Sequence, residues 1–191
     1  MSDQNSFPDV PLALWQLAPE GATEDQACGR SGLAQHIVDS YSAPGDVVLD
    51  LAPTGSDVAL AAVRARRTPV VVVTTPGLGG AWPEAGLEGF DGHVALGVVL
   101  PPEPCFRTGR AFAPPRDAFV ATVKQAAALL RPGGHLVVGF LGRGEALGTA
   151  VDLAAAGGLH YVQHVVALLA DGGERGPVRH ADVLVFGGGR P

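Results

Sequence analysis

Short apolar runs of strand length, spaced by helix-patterned segments, constrain this chain more than any other feature. Asp46-Val47-Val48-Leu49-Asp50-Leu51 is β-branched and reads as a buried strand. Similar runs occupy residues 69–75, 93–100 and 135–140. Between them, residues 57–67, 115–130 and 145–156 carry alanine-rich helical patterns. The Pro/Gly-rich stretch 76–89 is expected to be irregular. Such alternation predicts a doubly wound α/β domain, a mostly parallel sheet with helices on both faces. The last two runs, 161–169 and 182–186, are joined by a turn with no helix, so they must pair antiparallel.

A further helix is expected from Gly32, where Leu33, His36, Ile37 and Tyr41 recur at three- and four-residue intervals, and it stops at Ser42-Ala43-Pro44-Gly45. Residues 1–31 are polar and weakly periodic apart from an apolar patch at 10–17; they read as an N-terminal arm before a single domain spanning 32–191. A chain of 191 residues is long enough to bury one substantial core. Arg64, Arg66 and Arg67 fall where the last turn of the 57–67 helix would favour cations.

Several classes of function are disfavoured. No apolar run approaches the ~20 residues that cross a bilayer, and the start lacks a basic segment followed by an apolar one, so a cytoplasmic protein is expected. Cys28 and Cys105 lack both disulfide-framework and zinc spacing and read as reduced structural thiols. The net charge is −6, with 13 basic residues against 19 acidic ones and Lys124 the single lysine. Nucleic-acid binders usually carry a basic face, so this balance counts against DNA or RNA as partner without excluding a local groove.

In a doubly wound sheet, ligands bind at the carboxyl ends of the strands near the point where strand order reverses. The first strand-to-helix loop, Leu51-Ala52-Pro53-Thr54-Gly55-Ser56-Asp57, occupies that place. Its small residues would let backbone amides approach a ligand at a helix N-terminus. Equally, it is a plain turn in which Ser56 or Asp57 caps the helix.

The stretch from Gln35-His36-Ile37 through Pro44-Gly45-Asp46-Val47-Val48-Leu49-Asp50 resembles the helix–strand entry of DNA amino-methyltransferases. Leu130-Arg131-Pro132-Gly133-Gly134-His135 is similar to their turn into the fifth strand, and residues 158–164 and 180–186 look like their closing strand pair. This resemblance implies a methyltransferase-like Rossmann fold and S-adenosylmethionine as cofactor, held by Asp50, Thr54, Gly55 and Ser56, with Thr74 or Thr75 near the ribose. It also implies an acceptor site at Pro101, Pro102 and Glu103. There the family's acceptor and stacking aromatic are replaced by Leu100 and Glu103, and the carboxylate expected at the end of the second strand is replaced by the two threonines. Two functions follow from the resemblance. One is methyl transfer to an amino group of a nucleic acid or related acceptor; the other is a catalytically inactive pseudo-methyltransferase serving as a regulatory protein-interaction module or homo-oligomer.

His160 and His164 are four apart but on a strand pattern, and no third metal ligand is placed beside them, so they read as structural and no metal is expected. Phe106, Arg107, Arg110, Phe112 and Arg116 interleave aromatics with cations after the Pro101-Pro102 corner. They could be a solvated loop over two tucked phenylalanines, a partner-protein surface, or a site that stacks bases or grips a phosphate. Trp15 and Trp82 read as packing residues.

Overall fold

The computed structural model describes residues 11–17, 29–51, 55–72, 87, 89–108, 110–142, 144–169 and 179–188. Their elements run β1 (Leu12–Gln16), α1 (Arg30–Tyr41), β2 (Val47–Asp50), α2 (Asp57–Arg64), β3 (Thr68–Val71), β4 (Val94–Val99), α3 (Glu103–Thr108), α4 (Arg116–Leu129), β5 (Leu130–Leu141), α5 (Gly144–Ala156), β6 (His160–Leu169) and β7 (Arg179–Gly187). The strands make one sheet in the order β1-β6-β7-β5-β4-β2-β3. All pairings are parallel except those of β7, which runs antiparallel to both β5 and β6. The expected mostly parallel sheet with a closing antiparallel pair is therefore the observed one.

Side chains alternate across this sheet with period two, as a pleat requires. On one face Leu96, Val98 and Leu100 at β4, Val137 on β5 and Val183 and Val185 on β7 pack with Leu33 and Ile37 of α1 and Val58 of α2. On the other, Leu136, Val138 and Phe140 of β5 and Phe186 of β7 pack with Phe119 and Val123 of α4 and Ala150 and Ala154 of α5. Every residue of β4 is buried, because β2 and β5 flank it and helices cover both faces.

Three local features differ from expectation. The strand expected over 69–75 to be buried is the outer strand of the described sheet: β3 pairs only with β2, and Val71 is 43% exposed. Its β-branched run satisfies propensity at an edge as well as at a centre. Within the stretch read as an arm, Leu12–Gln16 is a strand parallel to β6; its leucines and alanine carry no strand signal of their own. Finally, α2 ends at Arg64, not Arg67. Arg66 takes a left-handed conformation (φ 59°), and Arg67 turns back to donate to the Ser42 carbonyl (2.7 Å) and hydroxyl (3.1 Å). Arg67 also donates to the carbonyl of Ala65, the C-cap of α2, so it ties the end of α2 to the end of α1 while serving the helix end, and Arg64 stands in the last turn as expected.

The Pro132-Gly133-Gly134 turn is a bulge inside β5, which already pairs at Leu130 with Val94 and resumes at His135 with Leu96. Gly133 has φ +74°, a region that L side chains avoid. A Cβ on Gly134 would lie 2.8 Å from the Val94 carbonyl oxygen and 3.1 Å from that of Ala95, so only glycine lets the bulge close onto β4. Arg131 beside it grips the Asp46 carboxylate with two bonds of 2.7 and 3.0 Å, joining β5 to the start of β2.

Candidate functional site

From β2 the chain first moves outward to β3, then returns to place β4 on the other side of β2. The crevice at the carboxyl ends of β2 and β4 is therefore the switch point, where open α/β sheets leave room for a ligand. Asp50 ends β2 there and is 1% exposed. Leu51, next to it, donates its amide to the Val98 carbonyl (2.9 Å) and is buried in turn. Residues 52–54 lie outside the described residues, so Thr54 has no described position, nor do Thr74 and Thr75. Gly55 and Ser56 follow, both exposed, and lead into α2.

The residue that organises this edge is Arg30, the first of α1, with its side chain fully buried. Its Nε donates to the Pro101 carbonyl at 2.9 Å, and its Nη1 donates to the Asp57 carboxylate. The Ser31 hydroxyl donates to the other oxygen of the same carboxylate. One guanidinium thus joins the start of α1, the start of α2 and the exit of β4. Gly55 is part of the joint: a Cβ there would stand 2.8 Å from Arg30 Nη1. Burial raises the pKa of Asp57, but the hydrogen bonds from Ser31 and Arg30 and the guanidinium charge outweigh it, leaving the carboxyl below its ordinary range. The carboxylate is engaged in this pair, and Ser56, at the N-cap position, makes no side-chain capping bond.

Sequence reasoning passed over Arg30. Arg30 precedes the helix expected from Gly32, and its partners lie 71 and 27 positions away, so no local pattern marks it.

At the exit of β4, Leu100 is 0% exposed, Pro101 is buried and Pro102 is half-buried. The Pro102 carbonyl accepts the Cys105 amide at 2.8 Å, opening α3 at Glu103. The structure thus brings Gly55 and Pro101 together at Arg30, and places Asp50 and Ser56 at the same edge, at the end of β2 and before α2. The mixed aromatic and basic segment is a short helix and a strap, not one loop. Phe106 is buried (6% exposed) in the α1/α2-face core, and Phe112 is half-buried against it, its backbone paired with Leu141 at 2.8 and 3.0 Å. The Phe106 ring is thus committed to the core, while the Phe112 ring keeps part of its surface exposed. Arg110 and Arg116 are exposed.

His164 bonds Asp182 (3.0 Å), and the His160 ring lies over Gly187. Among the described residues no group of three metal-capable side chains occurs. Trp15 packs against His36 and Tyr41, at ring centroid distances of 4.4 and 6.0 Å. Trp82 and Cys28 lie outside the described residues. Among the described residues, no helix is long and apolar enough to cross a membrane.

The sheet order and the reversed β7 make a Rossmann-like fold, which solved structures of S-adenosylmethionine-dependent methyltransferases share. A TehB-like SAM-dependent methyltransferase from Corynebacterium glutamicum superposes with a TM-score of 0.55 at 16% identity, covering 82% of this chain and 87% of that one. The 1,6-didemethyltoxoflavin-N1-methyltransferase of Burkholderia thailandensis, solved with bound 1,6-didemethyltoxoflavin and S-adenosylhomocysteine, gives 0.53 at 20% identity over 83% and 77%. The precorrin-6y C5,15-methyltransferase of Geobacter metallireducens gives 0.57 at 10% identity over 88% and 97%. None of the three is a DNA amino-methyltransferase, so the likeness supports the superfamily fold and not that branch. No protein-family model and no curated protein matches the chain.

Proposed function

We propose that the chain binds S-adenosylmethionine at the carboxyl edge between β2 and β4 and works as a methyltransferase on a small acceptor. One observation carries this reading: a buried carboxylate, Asp50, closes β2 at the switch point of a methyltransferase fold, beside a glycine turn. The donor set suits the cofactor's amino-acid end, whose ammonium needs an anionic acceptor such as Asp50 and whose carboxylate needs N–H donors such as those at Gly55 and Ser56. Arg30 fixes the turn that presents them. Thr54, Thr74 and Thr75 are assigned to further cofactor contacts from the sequence pattern. When bound, S-adenosylmethionine supplies an electrophilic methyl group to an acceptor lone pair.

The exit of β4 narrows the acceptor. The Pro101 carbonyl already accepts from Arg30, and Leu100 is a buried hydrocarbon where an amino group would need a hydrogen-bond acceptor. Together with the charge of −6, this argues against a flipped base as substrate. Glu103, next along the chain, is the residue left to assist an acceptor.

The same two features favour a second reading, a pseudo-methyltransferase that binds cofactor or a protein partner without turnover. Calorimetric titration with S-adenosylmethionine and S-adenosylhomocysteine, followed by labelled-methyl transfer to nucleic acid and to small amines, separates them. Binding with transfer to a small acceptor is expected. Binding without transfer to any acceptor supports the second reading, and transfer to nucleic acid refutes the small-acceptor assignment.

A further inference from the structure

On the opposite face from Arg30, the first halves of α4 and α5 do not close on each other. Further along the pair, Gly157 after α5 packs directly on Val123: a Cβ there would fall 2.2 Å from Val123 Cγ1. Nearer the start of the two helices, alanines at 146 and 150 leave a hollow of about 180 Å³ above Phe140. Buried Phe119 and Phe140 and partly buried Leu153 line it, together with two exposed polar residues, Thr149 and Arg116. Arg116 is exposed and, among the described residues, makes no hydrogen bond or ion pair; it is also the first residue of α4, where the helix dipole favours an anion. An apolar cavity of roughly 150 Å³ is enough to hold benzene. The hollow therefore matches one ring in size, and its rim matches one negative charge.

We propose that this hollow is a second small-molecule site that takes an aromatic monocarboxylate, with its ring between Phe119 and Phe140 and its carboxylate on Arg116. Phe140 is near the carboxyl end of β5, so the site opens at the same edge as the β2/β4 crevice but through the other helical layer. A planar carboxylate suits a guanidinium, which can donate two parallel bonds, and Thr149 adds a third donor. Occupancy would pin the α4 and α5 starts together without touching Asp50 or Arg30, so the site stands independently of the cofactor reading.

Benzoate is the probe, titrated into the full chain and followed by methyl NMR, with benzyl alcohol as the uncharged ring. Saturable shifts of the Ala113, Ala146 and Ala150 methyls at millimolar benzoate are expected. Arg116→Gln should weaken benzoate about tenfold or more while leaving benzyl alcohol unchanged, because it removes the charged donor and keeps the pocket. Ala150→Leu should abolish binding of both. Arg116→Gln alters an exposed side chain, so its result stands even where Ala150→Leu does not fold. Absence of saturable shifts, benzoate binding indifferent to Arg116→Gln, or shifts confined to residues 50–57 would each overturn the proposal.

Discussion

Arg30 and Asp57 hold the candidate site at the level of single residues, as a fully buried guanidinium paired with a partly exposed carboxylate. Removing Asp57 takes the counter-charge from a buried cation, whereas removing Arg30 leaves a carboxylate that solvent and Ser31 still reach. Arg30→Leu is therefore expected to cost about 1–3 kcal/mol in denaturant unfolding, and Asp57→Leu about 3 kcal/mol or more. Arg30→Leu combined with Asp57→Leu should cost less than the sum of the two single changes, since neither charge is then left alone. Equal, additive losses would mean that the pair carries no coupling. The acid limb of stability tests the same joint. Because the folded pKa of Asp57 lies below the ordinary 3.8, its stabilisation is fully present above that value and is lost as pH falls through the lowered one. Asp57→Asn should flatten the stability–pH curve below about pH 4 and leave its slope near neutrality unchanged.

Among the elements, β5 shows what was readable in advance and why. The Arg131-Pro132-Gly133-Gly134 signature marks a bulge whose geometry demands glycine twice, and Arg131 bonds Asp46 of the Pro44-Gly45-Asp46 turn. Both signatures lie at the amino edge of the sheet, opposite the ligand edge. Hence the motifs that made the fold legible are structural, and they lie away from the carboxyl edge where Leu100 and Glu103 stand. The Gly133 and Gly134 roles also separate by experiment. Gly133→Ala meets open space but a positive φ, costing about 1 kcal/mol. Gly134→Ala meets carbonyl oxygens of β4 and should cost more, in the range of about 1–3 kcal/mol. Equal costs in chemical denaturation would contradict the close approach of the bulge to β4. By contrast, neither β1 nor Arg30 was legible from local pattern. Leu12–Gln16 becomes a strand only because β6 offers it an edge, and Arg30 reaches Pro101 across 71 positions of sequence. Both depend on tertiary contacts that no short window contains.

For the whole molecule, the fold predicts the place of binding, and the chemistry at that place limits what is bound. A sheet that reverses its strand order between β2 and β4 puts Asp50 in the one crevice such sheets reserve for ligands. Fold alone does not select an acceptor; the small acceptor proposed above rests on the buried Leu100 and the net charge of −6.

Thermal unfolding with and without S-adenosylhomocysteine, on the natural chain and on Asp50→Ala, is the most direct measurement of cofactor binding at this turn. A ligand at 100 times its dissociation constant adds about 2.7 kcal/mol to the native state, so the natural chain should melt several degrees higher and Asp50→Ala should not. A natural chain whose melting temperature does not move at millimolar ligand, or an Asp50→Ala variant stabilised as much as the parent, would contradict it.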